Sequence, residues 1–579
     1  MARLLRINTR NKKAAFEDLS GDYAGLGGRG LTSRIVRREV PPTCHPLSSA
    51  NKLVVAAGLL TGTTAANTGR LSVGGKSPLT NTIKESNAGG TFSQKLAKLD
   101  IMGLILEDKP EPGSKPIAIF INKDGVQFFE TPELEGLGTY EASSRLFERF
   151  GSKAGVMVIG PAGENNRLAS AIMFTDPKGN PSRAAGRGGL GALMGSKRVK
   201  AIVVDSQGAK GQEVADKEAF KSAAKRWAEI LVNHPVTGQG LPGYGTSILI
   251  NIINEAGTLP TQNFRSGRFD KAQQISGEKM VELINSRGGV AKEGCHAGCV
   301  IQCSQKYCDA KGEYLTSGFE YETVWAFGSN LLIADMDDIA RLDRLCDDLG
   351  LDTIETGTTL AMAMEAGIIP WGEGQAAIDL LKRVYDPKDY LGAIIGNGTA
   401  FTAEALGVDR VPVVKRQSIP AYDPRAAKGI GVTYATSSMG ADHTAGYAIC
   451  QNILKVGGDI DPLGKAGNVE ISKNLQIATA AVDSTGFCLF VAFAVLDTED
   501  ALDVIARLIS ARLGISFTAD DIGKTGIEVL KDEYSFNRDA GFSPVHDQLP
   551  DFFINEELSP HNVKWDLSTD ELQMAKVEI

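Results

Sequence analysis

The 579-residue chain has no apolar stretch of membrane-spanning length, so a transmembrane helix is not expected. It has no basic run and a formal net charge of −9, which argues against nucleic acid as a partner. Met1 leads directly into a charged, alternating segment without the apolar core of a signal peptide, so the expected location is the cytoplasm. In that reducing compartment the eight cysteines read as ligands or buried thiols rather than as a disulfide framework. Low-complexity tracts and repeats at solenoid spacing are absent, and no nicotinamide or flavin site is evident.

What is present is an ordinary globular composition, 42% apolar and 23% charged, with a high count of 65 glycines. Many are paired, which suggests places where backbone must approach backbone or a bulky ligand. The length exceeds one ordinary core, so about two to four domains are expected.

The first third reads as strands. Leu4 to Ile7 opens it, Lys52 to Leu60 is nearly all apolar, and Asn122-Lys123-Asp124-Gly125 reads as a hairpin turn between Ile117–Ile121 and Val126–Phe129. Val156–Ile159 and Ala201–Val204 complete a β-rich region, residues 1–208. The period then changes. Asp216 is placed as an N-cap before Phe220, Ala223, Ala224, Trp227, Ile230 and Leu231, which recur at helical spacing. Helical patterns return at Met336–Leu349 and Ala501–Leu513. The expected fold is α+β, with the β-rich domain followed by two mainly helical ones, residues 209–411 and 412–579.

Cys295, Cys299 and Cys303 form C-x3-C-x3-C, with Cys308 five residues on. On a helix a spacing of four advances about 400°, which would put the three sulfurs on one face. Such clustering suits a metal, and thiolates serve zinc and iron–sulfur clusters alike. Buried free thiols are the plainer reading of any one of them. A four-iron cluster would need a fourth ligand, for which Cys488 is the distant candidate. Cys346 continues an apolar helix face, and Cys44 and Cys450 have no ligand pattern around them.

The ordered set of motifs resembles the tungsten-containing aldehyde:ferredoxin oxidoreductases almost end to end. It comprises Gly27-Gly28-Arg29-Gly30, Asn67-Thr68-Gly69-Arg70, Ser86-Asn87-Ala88-Gly89-Gly90, Gly160-Pro161-Ala162-Gly163-Glu164-Asn165 and Arg183-Ala184-Ala185-Gly186-Arg187-Gly188-Gly189. Glu320-Tyr321-Glu322, Asp347 through Asp352, Pro420 through Arg425 and Asp483 through Cys488 follow in order.

The resemblance implies an N-terminal β domain that forms the base for a bis-pyranopterin cofactor, with two helical domains covering it. Tungsten (or molybdenum) would be held by the pterin dithiolenes alone, beside a four-iron cluster (4Fe-4S) on Cys295, Cys299, Cys303 and Cys488. A pterin's amino-pyrimidinone edge offers a fork of N–H donors that a carboxylate accepts. The two D-x-x-G segments supply Asp347 and Asp483 for this, with Gly350, Leu351 and Asp352, and Gly486 and Phe487, completing them. Arg183, Gly186 and Arg187 suit the phosphates, Arg70 matches the arginine between pterin and cluster, Gly89 is a further cofactor-binding position, and the main-chain carbonyls of Asn87 and Ala184 would hold Mg2+. Glu322 and His443 match the family's catalytic glutamate and histidine. Ser317-Gly318-Phe319-Glu320 reads as a capping box, which would place Glu322 in a first helical turn where the helix dipole favours an anion.

The implied reaction oxidises an aldehyde, and its electrons pass to a ferredoxin or small ferredoxin-like iron–sulfur subunit, with or without a flavin subunit, in a hetero-oligomer. A tungsten subunit acting on an aromatic thioester and a non-catalytic electron-transfer scaffold are the alternatives. Several positions depart from the archaeal pattern: three residues separate the first two cluster cysteines, Ala445 replaces a lysine, Phe487 replaces a leucine, and Asp551–Ile579 lacks an aromatic-rich stretch. Arg341 and Arg344 stand where the family has a metal-bridging Glu-x-x-His pair. Guanidinium has no lone pair to offer, so no metal is expected between copies of that helix. Together these departures resemble the bacterial multisubunit branch.

Overall fold

The computed structural model describes residues 2–579. Its N-terminal part is two six-stranded sheets. The first orders its strands Lys13–Asp18, Arg3–Asn8, Ile101–Glu107, Leu53–Ala57, Leu71–Lys76 and Ile83–Ala88. The second runs Arg183–Ala185, Ile172–Phe174, Gly155–Val158, Val199–Val204, Ile117–Asn122 and Gly125–Glu130. The two pack face to face through Leu5, Ile7, Val55 and Val73 of one and Ile119, Met157, Ile172 and Ile202 of the other. Strand alternation sends Leu4 and Val54 to the opposite face, where the Gly28–Glu39 helix covers them. The Ile117–Asn122 and Gly125–Glu130 hairpin pairs Asn122 with Gly125, as its turn residues predict.

Helices dominate the rest. Asp216 caps the Lys217–Asn233 helix by accepting from Ala219 N–H, and the predicted Met336–Leu349 and Ala501–Leu513 helices are present. The packing crosses the boundary placed at residue 411. Trp227 packs with Phe487 and with Val504 and Leu508 of the Ala501–Leu513 helix, while Phe553 and Trp565 return to the core built around Trp325 and Ile430.

The sheets carry the lower wall of a central cavity, and the helical layers close over it. Glycines set how closely they come. A Cβ on Gly28, whose φ is +46°, would lie 2.0 Å from the Asp483 carbonyl oxygen, and one on Gly58 would lie 2.1 Å from Gly486 N. The D-x-x-G turn therefore rests directly on backbone of the first domain. Among the described residues no helix is long and apolar enough to cross a membrane.

Candidate active site

A cavity of about 390 Å³, within the range of ligand sites, is lined by residues of every part of the chain. From the sheets come Arg70, Asn87, Gly89, Arg183, Ala184, Gly186 and Arg187; from the helical layers, Glu322, Asp347, Asp352, His443, Asp483 and Phe487; from the cysteine segment, Cys295 and Cys303. Gly350, Leu351 and Gly486 do not line it. Gly350 and Gly486 end their helices in left-handed conformation and pack on Gly160 and on Thr61 and Gly58, and Leu351 is core. Their close approach is to protein, not to the cavity.

Glu322 lies in the first turn of the Tyr321–Phe327 helix, as predicted. The capping box is not formed. Ser317 ends a strand and bonds Tyr314, and the helix start is instead held by Thr246, whose hydroxyl accepts from Tyr321 N–H at 2.8 Å and donates to Glu320. Glu322 Oε2 accepts from Ala421 N–H at 3.0 Å, and Oε1 lies 3.5 Å from His443 Nε2. Burial pushes the Glu322 carboxyl up to about 8 and His443 down to about 4. Tyr422 and Tyr447 flank the imidazole and share a 2.7 Å hydrogen bond.

The two D-x-x-G aspartates, Asp347 and Asp483, both line the cavity. Asp347 ends the Met336–Leu349 helix, where it receives Tyr140 OH at 3.3 Å. Burial and Asp343, one turn earlier, hold its carboxyl well above the usual range. Asp483 is buried and pushed up to about 6, against the pull of Arg29, whose Nη1 stands 3.4 Å away. Arg29 is fixed by a two-pronged pair with Glu533, both bonds 2.8 Å. Asp352 caps the Thr353–Glu365 helix and accepts from Arg187 Nε at 3.1 Å. Arg187 commits its remaining nitrogens to Ala441 O, Ser418 O and Ser418 Oγ, so its side chain acts as a staple between walls.

The cysteine segment is not helical. Residues 294–303 form an irregular loop between the strands Val290–Glu293 and Ser304–Cys308, because Gly294 and Gly298 interrupt the run and Gly298 takes a left-handed φ of +80°. Thiol convergence comes from folding the loop, not from helical period. Asn67 organises it: its side chain donates to Cys299 Sγ and accepts from Val300 N–H, while its carbonyl accepts from Cys488 N–H. Arg70 Nη2 donates to Cys488 Sγ at 3.6 Å, and Cys295 and Cys303 are among its neighbours. Cys295, His296 and Cys299 bring potential ligand atoms within 4.8 Å of one another. Cys308 lies in a strand, fully buried and away from the cavity, and Cys346 is core.

Buried polar atoms without protein partners cluster here: Arg70 Nε, Glu85 Oε1, Asn87 Nδ2, Arg183 Nε, Glu322 Oε1 and His443 Nδ1. Buried groups of this kind are ordinarily satisfied, so a concentration of them around one cavity fits a polar ligand with both donors and acceptors. Ala184, exposed between two buried neighbours, lines the cavity together with cationic Arg70 and Arg183 and the carboxyl groups of Asp347 and Asp483. This donor set suits a group with an N–H-rich edge and an anionic end. Sequence reasoning missed Glu85, Glu320 and Asp442, and His296 beside the thiols. Asp442 adjoins His443, His296 adjoins Cys295, and Glu320 stands in the Glu320-Tyr321-Glu322 motif, so adjacency was the available signal; nothing marked Glu85.

The family model described as aldehyde ferredoxin oxidoreductase, N-terminal domain, matches residues 4–206, and that for domains 2 and 3 matches residues 222–576. The tungsten-containing aldehyde ferredoxin oxidoreductases of Pyrococcus furiosus and Thermococcus kodakarensis are each 37% identical, over 96% of this chain and 92% of theirs. An aliphatic sulfonate oxidoreductase WOR-like subunit of Pyrococcus furiosus is 28% identical over 77% of this chain and 75% of its own. Among solved structures, the active site complex BamBC of benzoyl coenzyme A reductase shares the fold, with TM-score 0.80 at 20% identity over 99% of this chain and 93% of that one. The chain belongs to the aldehyde ferredoxin oxidoreductase family.

Proposed function

We propose that the chain is the catalytic subunit of a tungsten-dependent aldehyde oxidoreductase, converting RCHO and water to RCOOH, two protons and two electrons. The observation that carries this is the convergence of half-buried His443 and buried Glu322, 3.5 Å apart, on a cavity that Cys295, Cys303 and the cysteine-contacting Arg70 also line. Asp347 and Asp483 would hold the two pterin edges, Arg183 with the backbone of Asn87 and Ala184 the phosphates and Mg2+, and Cys295, Cys299, Cys303 and Cys488 a four-iron cluster. When bound there, a tungsten–pterin group would supply Lewis acidity and an acceptor for the electron pair.

The chain's own residues handle the proton. Burial places the proton shared by the Glu322–His443 pair on Glu322 near neutrality. Glu322 works as a general base once that proton has left, taking the next one from water or substrate, and His443 turns Nε2 toward the carbonyl oxygen. The Tyr321 and Tyr422 rings, tilted 35° to each other, and the Tyr447 ring, edge-on to Tyr422, form an aromatic cluster beside the pair. Electrons would leave beside Arg70 toward a ferredoxin-like partner at the cluster loop, where Ala297 and Gly298 are exposed.

Viologen-coupled assays on purified protein test the reading. Turnover of aliphatic or aromatic aldehydes supports it; turnover of an aromatic thioester with none of aldehydes would replace it.

A further inference from the structure

Lys84 has no part in the reading above. It lies in the Ile83–Ala88 strand with its side chain 1% exposed, and its Nζ donates to Asp442 Oδ2 at 2.8 Å. An interior lysine needs a partner, and this one reaches across from the first sheet to find it. Asp442 Oδ1 accepts from Thr444 N–H at 3.1 Å and Thr444 Oγ1 at 2.8 Å, capping the short turn His443–Ala445. The same oxygen stands 4.0 Å from His443 Nδ1, which has no hydrogen-bond partner. The preceding carbonyl, of Ala441, is held by Arg187 at 2.7 Å and Gln417 at 2.6 Å.

The titratable and charged groups around the imidazole are thus Glu322, protonated near neutrality, on its Nε2 side, Asp442 on its Nδ1 side, and Lys84 and Arg187 beyond Asp442. The Tyr422 and Tyr447 rings complete its surroundings.

We propose that Lys84 is a positioning residue: through the Asp442 carboxylate it fixes the turn that carries His443 and keeps the imidazole uncharged. A buried carboxylate about 4 Å from an imidazole, standing alone, would favour the imidazolium by more than about tenfold. Lys84 cancels that charge. The low affinity of His443 for a proton, and an Asp442 held well below the usual carboxylate range by Lys84 and Arg187 despite its burial, both agree. Asp442 adjoins His443, yet Lys84 comes from a strand about 360 residues earlier in the chain.

The proposal rests on His443 being the catalytic imidazole, and its test separates the two. Imidazole C2-hydrogen exchange of the His443 peptide, followed by mass spectrometry of holoenzyme across pH, reads the protonation midpoint without reference to activity. In Lys84→Met the midpoint should rise by at least about one pH unit, because Asp442 loses its counter-charge. In Lys84→Met/Asp442→Asn, which removes both charges, it should return to the wild-type value, and in Lys84→Arg it should stay there. Turnover of Lys84→Met should fall at least about tenfold in kcat with little change in KM. An unmoved midpoint in folded, metal-loaded Lys84→Met overturns the proposal, as does a double variant that keeps the raised midpoint. A His443→Ala enzyme with full turnover would instead overturn the catalytic reading.

Discussion

Glu322 and His443 face each other across 3.5 Å, and burial drives their proton affinities in opposite directions. A carboxyl raised to about 8 is protonated below that pH and becomes a base as pH rises through it. Wild-type kcat/KM for an aldehyde should therefore climb toward pH 8, and Glu322→Gln should flatten that limb. The same variant should keep tungsten, pterin and iron while losing about a hundredfold or more in kcat, as expected for a missing general base. A fully loaded Glu322→Gln enzyme with near wild-type turnover would remove Glu322 from the chemistry. Cys488 makes a second residue-scale case. Its sulfur receives Arg70, and its backbone is tied to the loop-organising Asn67. Cys488→Ser should abolish or reshape the reduced-cluster signal in electron paramagnetic resonance. An unchanged signal would exclude Cys488 as a ligand, and buried Cys308 is poorly placed to replace it.

Individual elements show what a linear pattern can and cannot carry. Helix spans were legible where apolar period and cap coincide: Asp216 caps one helix, and Met336–Leu349 ends at Gly350, which needs a left-handed φ of +70°. The cysteine segment misled because equal spacing mimics helical period, whereas its glycines turn it into a loop. The start of the Glu322 helix was misplaced because its true cap, Thr246, is supplied from elsewhere in the chain, and no local pattern can report a distant partner. Site residues found through the family motifs mostly face the cavity; Glu85, which no motif contained, faces it too. The glycine contacts give an element-scale prediction. At Gly28 a side chain would meet the Asp483 carbonyl and require an unfavourable φ, so Gly28→Val should cost about 2–3 kcal/mol by overpacking and backbone strain. Denaturant midpoints should fall accordingly, and pterin content with them, since Asp483 would shift. A variant of unchanged midpoint would show that the two backbones can separate without loss.

At the scale of the whole molecule, the cavity exists only where sheets, helical layers and the cysteine loop meet, so loading and folding should be coupled. Assembly should not depend on a metal bridging two copies of the Met336–Leu349 helix. Arg344 is already committed within the chain, stacked 3.2 Å from the centre of the Tyr140 ring and bonded to Leu315 O, and Arg341 pairs with Asp338. Native mass spectrometry before and after chelator treatment should show the same oligomeric state; dissociation into monomers would contradict this. The central claim is that this chain houses a pterin-bound tungsten beside a four-iron cluster. Its most direct test is the elemental and pterin stoichiometry of the purified protein. The expected result is about one tungsten (or molybdenum), about two pterins and about four irons per chain. Zinc on the cysteines, with neither pterin nor tungsten, would contradict it.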